Sequence, residues 1–181
     1  MKNSNLAEFT GGLGHPNHQY SFRALSAGDC DELGRFYGEL DFGERRRRFG
    51  GALSETAVAE FCRAIQWRRT IVIACMSGAP FDAVLEIHQM ADGWRRCEIA
   101  LACRLVGDRA IVIAQLLQLA AFAAGKLGCR EFVVPLDESG RTMVPLLASM
   151  GRARIEADTA VIDLGDYVGL RGRLASPSGV A

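Results

Sequence analysis

The chain has 181 residues, of which 49% are hydrophobic and 8% aromatic, enough apolar material for one globular domain with a sizeable core. Its 21 basic residues balance 21 acidic ones, which excludes net charge as a source of attraction to nucleic acid or to an anionic membrane; neither partner is expected. Cys30, Cys62, Cys75, Cys97, Cys103 and Cys129 form no C-x-x-C pair and fall mostly in apolar runs, so reduced thiols packed as small hydrophobes in a cytoplasmic protein are expected.

Residues 1–19 carry Gly11, Gly12, Gly14, His15, Pro16 and His18 but no apolar stretch of signal-peptide type, and they read as a mobile arm ahead of a domain over 20–165. Residues 20–24 alternate like a first strand. Leu33, Phe36, Tyr37 and Leu40 then recur at helical spacing, and Ser54 caps a second helix with Val58, Phe61, Cys62 and Ile65 on its buried face. The intervening run from Arg45 to Arg48 reads as a solvated helix face.

Three strands follow at 70–76, 82–89 and 96–105. The turn signals Ser77-Gly78-Ala79-Pro80 and Asp92-Gly93 between them predict antiparallel neighbours. An apolar helix over 110–127 closes at Gly128, and strand 131–135 comes next, so this crossover predicts a parallel pair with 96–105. The helix falls short of the roughly 20 residues that cross a bilayer and is bracketed by charge, which predicts a buried helix instead. Ser139 starts a last helix over 140–150 that contains Pro145 and stops at Gly151. Segments 152–156 and 159–164 read as a hairpin around Ala157-Asp158, and 166–181 as a tail.

Glu98 carries the clearest chemical signal. Its strand face also holds Ala100, Ala102 and Arg104, so the carboxylate looks over small residues, and burial there would raise its pKa toward that of a base working near neutrality. A solvent-facing or salt-bridged role beside Arg95 and Arg96 is the alternative. Cys97 and Cys103 lie on the opposite face and are expected to pack under a helix, with no base to make a nucleophile of either. His88 reads as structural, and no histidine spacing suits a metal. Arg109 opens the apolar helix either as a ligand for a bound anion or as a surface cation. That helix has almost no polar side, which predicts that its outer face is covered by a second subunit, making a dimer or other homo-oligomer, or by the chain from Asp166 onward.

The order strand, two helices, three antiparallel strands, helix, strand, helix, strand pair resembles the GNAT superfamily of acyl-coenzyme A N-acyltransferases over residues 20–164. Arg109-Ala110-Ile111-Val112-Ile113-Ala114 is similar to the family's Q/R-x-x-G-x-G/A phosphate loop, with Val112 at the first glycine. A register one residue earlier puts Ile111 and Ile113 at both glycine positions. Residues 139–151 resemble the family's N-x-x-M-x-x-L-x-x-x-x-G-F helix, with Ser139 or Gly140 at the Asn, Leu147 at a tyrosine that many members use as general acid, and Arg152 after the closing glycine. Arg48-Phe49 is similar to a pair found in bacterial protein-lysine acetyltransferases.

The resemblance implies an α/β (α+β) fold: a mixed, mostly antiparallel twisted sheet of about seven strands flanked by four helices, with strands four and five splayed apart. It implies acetyl-CoA or another acyl-CoA as co-substrate, its pantetheine arm in the splay, its pyrophosphate on residues 109–114, and Ser139 as a further cofactor contact. It implies Glu98 as the base that deprotonates a primary amine of a small molecule or a protein lysine, with a backbone N–H near Ala102 or Cys103 polarising the thioester. The altered loop, the missing Asn and the missing Tyr suit a second possibility, a GNAT-fold binding or regulatory module without catalysis.

Overall fold

The computed structural model describes residues 20–165 apart from 52 and 79, and leaves out the side chains of Glu138 and Ser139. The expectations for the arm at 1–19 and the tail at 166–181 lie outside the described residues. The chain runs β1 (Ser21–Ala24), a 3-10 turn (Ala27–Asp29), α1 (Cys30–Gly38), α2 (Phe42–Phe49), α3 (Glu55–Ala64), β2 (Thr70–Met76), β3 (Ala83–Met90), β4 (Gly93–Cys103), α4 (Arg109–Lys126), β5 (Glu131–Pro135), α5 (Glu138–Ala148), β6 (Arg152–Glu156) and β7 (Thr159–Asp163).

Seven strands form one sheet in the order β1-β2-β3-β4-β5-β7-β6. Only β4 and β5 are parallel, as the helical crossover between them requires; every other pair is antiparallel. Alternation along the central strands divides the core in two. Ile73, Cys75, Leu85, Ile87, Cys97, Ile99, Leu101 and Cys103 face α4 and α5. Val72, Ala74, Val84 and Ala102 face Leu33, Phe36 and Tyr37 of α1 and Val58 and Cys62 of α3. Cys97 and Cys103 therefore pack where the sequence placed them, and all six cysteines are free.

Two features depart from the sequence reading. The chain has a fifth helix, α2, where the arginine run lacks the apolar periodicity that marks a helix. Its ends are nevertheless well signalled: the Asp41 side chain accepts from the Glu44 N–H at 2.7 Å, and Gly50 closes the helix in the left-handed region at φ 70°. The last helix is capped by Asp137, whose Oδ1 accepts from the Gly140 N–H at 2.8 Å, rather than started by Ser139.

α4 supplies the largest apolar surface of the second layer, burying Val112, Ile113, Leu116, Leu117, Ala120, Ala121, Ala123 and Ala124. Among the described residues it is the one helix long and apolar enough to cross a membrane, and these eight side chains face the sheet side. Its outer face keeps Ile111, Phe122 and, just past its end, Leu127 exposed by 42%, 44% and 48%.

The sheet is open where β4 leaves β5. Their pairing covers only Arg96 with Glu131, Cys97 with Phe132 and Glu98 with Val133, whereas β4 continues to Cys103 against β3. Beyond Val133, β5 is drawn toward α5, where Gly140 sits so close that an added Cβ would lie 1.7 Å from the Pro135 carbonyl oxygen. That contact excludes any side chain at 140, including the asparagine of the related pattern. Gly140→Ala is expected to lower the unfolding free energy by about 2 kcal/mol or more, as overpacking against fixed backbone does. Gly38→Ala, where an added Cβ meets nothing within 4 Å, should be neutral or stabilising by up to about 1 kcal/mol. Urea denaturation of both variants checks this.

Candidate active site

From Ile99 to Cys103 β4 has no ladder partner on the β5 side, and the first turn of α4 follows this parting, called the slot below. Helix geometry leaves the N–H groups of Arg109, Ala110 and Ile111 without partners inside the helix. The Asp108 side chain makes no capping bond to them; its Oδ2 accepts instead from the Tyr20 hydroxyl at 3.0 Å. Burial, then the bond to Asp108, pushes Tyr20 up to about 12, so the phenol stays protonated. Val106 is 92% exposed, and a Cβ on Gly107 would meet nothing within 4 Å. Among the described residues the approach to the α4 N-terminus is therefore open.

The residues assigned to the phosphate loop separate by direction. Ala110 and Ile111 are exposed at the rim, Ala114 is half-buried, and Val112 and Ile113 are buried in the core beneath α4. The bulk that replaces glycine at 112 and 113 thus points into the core, and of the three candidate glycine positions only 111 places its side chain at the surface. Ala102 and Cys103 are buried at the far end of the slot. Burial raises the Cys103 thiol and pushes Cys75 up to about 12, which keeps both protonated at neutral pH. The Ser139 side chain lies outside the described residues, and Leu147, at the tyrosine position, is fully buried in the core.

Arg109 is neither a free surface cation nor directed at an open anion site. Its Nη1 donates to the Cys103 carbonyl and to Glu44 Oε1, both at 2.7 Å, and its Nη2 lies 3.4 Å from Glu44 Oε2. Glu44, 7% exposed, also accepts from Arg47 at 2.5 Å. A polyanion at this end of the slot would find backbone donors ready and the guanidiniums of Arg109 and Arg47 already paired with Glu44.

Glu98 lies at the inner end of the slot, the last β4 residue in register with β5. It is exposed, the solvent-facing position that the sequence left open, and among the described residues it has no ion pair; neighbouring Arg96 binds Glu131 at 3.2 Å and Glu156 at 3.0 Å. Directly across the β3–β4 ladder stands His88, which places both side chains on one sheet face about 5 Å apart at Cβ.

Behind His88 is a carboxylate that the sequence reading missed. Glu86, fully buried in mid-β3, accepts from the Tyr37 hydroxyl and from Arg48 Nη2 at 2.5 Å, and its Oε2 lies 2.9 Å from His88 Nε2. Burial alone would raise this carboxyl, but the charge of Arg48 and the contacts from His88 and Arg48 outweigh it and hold Glu86 at about 2. The same carboxylate and burial hold Tyr37 well above its usual value. Arg48 is enclosed by the rings of Phe49, Phe61 and Tyr37, with Cζ 4.8, 5.0 and 5.6 Å from their centroids. The arginine run is thus a solvated face only at Arg46, which is exposed: Arg48 is interior, Arg47 pairs with Glu44, and Arg45 donates to the Leu40 carbonyl at 3.0 Å and to that of Gly38. A lone Glu within Ala83-Val84-Leu85-Glu86-Ile87 was the available signal, because a charge in a wholly apolar strand needs a buried partner. A cavity of 330 Å³ adjoins the cluster, with Phe61, Ile65, Gln66, Thr70 and His88 among its walls.

No family model matches the chain, and no curated protein does. Solved structures do. The chain is similar to the GNAT domain of PAT from S. lividans, with a TM-score of 0.62 and 19% identity over 79% of this chain and 88% of that one. Against a spermidine N-acetyltransferase from Vibrio cholerae in complex with CoA and spermine, the TM-score is 0.60 at 12% identity, over 83% and 98% of the two chains. Against a cAMP-binding acyltransferase from Mycobacterium smegmatis it is 0.55 at 17% identity over 86% of this chain, which spans 47% of that protein. The protein has the GNAT fold, and its structural neighbours include acetyltransferases.

The buried cluster sets the pH response of the fold. Because Glu86 titrates below its ordinary value of 4.5, the stability it contributes is complete above that pH and is lost as pH falls toward about 2. Arg48→Met, which strands the carboxylate, should cost about 3–5 kcal/mol at pH 7. Adding Glu86→Gln should recover part of that loss and flatten the acid limb between pH 4.5 and 2. Thermal unfolding across pH checks both variants against the wild type.

Proposed function

We propose that the protein is an N-acyltransferase that moves an acyl group, most simply acetyl, from acyl-CoA to a primary amine. The observation that carries this reading is the slot: β4 outruns its pairing with β5 by five residues, from Ile99 to Cys103, and the unpaired N-terminus of α4 stands at its end. Such a slot suits an extended pantetheine arm lying along β4, and the α4 N-terminus suits the pyrophosphate. The residues that would hold acyl-CoA are Ala102 and Cys103 along the arm and Arg109 to Ala114, with Ser139, around the phosphates.

In this reading the amine nitrogen attacks the thioester carbonyl carbon, Glu98 takes the proton that the nitrogen sheds, and the C–S bond breaks as the tetrahedral intermediate collapses. A backbone N–H near Ala102 or Cys103 stabilises the oxyanion. The thiolate takes its proton from water, since Leu147 offers none. The exposure of Glu98 lets an amine reach it without opening the core. Acceptor classes consistent with the structural neighbours are a polyamine-like small molecule and a protein lysine. The exposed strip of Ile111, Phe122 and Leu127 is proposed as the contact between two copies, which gel filtration checks.

A second reading, a GNAT-fold module without catalysis, is favoured by one observation, the engagement of Arg109 by Glu44. Titration calorimetry with acetyl-CoA tests the first: the enzyme reading expects saturable binding below millimolar concentration, and no binding would leave the module, whereas turnover of a bound acyl-CoA would exclude it. In the enzyme, Glu98→Gln should lower kcat by roughly 100-fold with little change in acetyl-CoA affinity. Full turnover by that variant would remove Glu98 from the mechanism.

A further inference from the structure

Helix α2 touches both halves of the site. Glu44 and Arg48 stand one turn apart on it: Glu44 reaches Arg109 at the start of α4, and Arg48 reaches Glu86 in the middle of β3. Glu86 in turn lies against His88, which shares its sheet face with Glu98. One eight-residue helix therefore links the anion-facing end of the slot to the face over which an amine would approach.

The Glu44 carboxylate is a resident anion on the guanidinium of Arg109, the first residue of α4. It is 7% exposed and takes both Arg109 and Arg47, while the same Arg109 Nη1 is shared with the Cys103 carbonyl. A negative ligand arriving at that N-terminus meets the charge that favours it, the helix dipole, and the charge that opposes it, the Glu44 carboxylate. Two anions compete for one guanidinium, and in a half-buried site the like-charge repulsion is poorly screened.

We propose that Glu44 is the specificity-determining counter-ion of the thioester site: a phosphorylated carrier must take Arg109 from it, and losing that pair loosens α2. This rests on the acyl-CoA reading above. A helix of eight residues has little stability of its own, so α2 depends on its tethers. These are the Glu44 pair, Arg45 on the carbonyls of α1 and the following turn, and Arg48 on Glu86. Releasing one of them changes how firmly Arg48 supports Glu86 and His88, so occupation of the slot is felt at the amine-facing side.

Two ligands isolate the charge effect: coenzyme A, which carries the phosphates, and pantetheine, which lacks them. Glu44→Gln should bind coenzyme A roughly tenfold more tightly than the wild type, a typical size for coupling between sites, with pantetheine affinity unchanged. Coenzyme A bound equally or less tightly by a folded Glu44→Gln variant would overturn the proposal. So would an equal gain for pantetheine. Binding of coenzyme A by neither protein would instead sink the acyl-CoA reading on which the proposal rests. Hydrogen exchange on the wild type tests the proposal without the variant: coenzyme A should speed amide exchange over residues 42–49 while slowing it at 109–112. Unchanged or slowed exchange at 42–49 on saturation overturns it.

Discussion

A carboxylate with no access to water has to be answered from within the fold, and Glu86 is answered from three directions. Tyr37 comes from α1, Arg48 from α2 and His88 from two residues along its own strand. A buried ion pair of this kind adds little net stability over well-packed apolar residues, because desolvating both ions offsets their attraction. Its effect is on specificity, since any other placement of α2 would leave a bare charge in the core. The rings of Tyr37, Phe49 and Phe61 complete the enclosure of Arg48, with Phe49 and Phe61 meeting edge to face at 5.2 Å. A basic octet with no apolar stripe is thereby held as an ordered helix.

The second constraint is the parting of β4 from β5. A parallel pair joined by an 18-residue helix needs only a short stretch of ladder. Past Val133 the fifth strand is committed to β7 on one side and to the close approach of Gly140 on the other. β4 meanwhile stays in register with β3 to Cys103. The slot is the geometric remainder of these two commitments. It is bordered by small residues of β4, with the exposed Glu98 where the β5 pairing ends and α4 beginning after Cys103, which is the order of parts the proposed chemistry uses.

Local patterns in the sequence were sufficient for most of the architecture. The strands at 70–76 and 131–135 coincide with β2 and β5, the crossover correctly implied a parallel pair, and the Ser54 cap is present with its hydroxyl accepting from the Ala57 N–H at 3.2 Å. These features depend on periodicity and on caps a few residues long, so they are written in the chain. α2 escaped because its helix is held by distant partners instead of by an apolar stripe. The cap at Asp137 and the interior position of Arg48 escaped for a related reason: Asp and Arg are ordinarily surface residues, and only the fold shows what lies against them.

The same division applies to the site. Sequence by itself determined that Glu98 sits over small residues on β4, that α4 begins at the end of that strand without its usual glycines, and that Cys97 and Cys103 face the other way. Those statements follow from a period of two along a strand and from residue identity. Only the tertiary structure decided that Glu98 is exposed, that Val112 and Ile113 turn their bulk into the core, that Arg109 is held by Glu44, and that Glu86 stands behind His88. The longest-range of these contacts joins residues remote in the chain, 65 positions apart for Glu44 and Arg109. A contact of that span is set by how helices seat on a sheet, which no local pattern encodes.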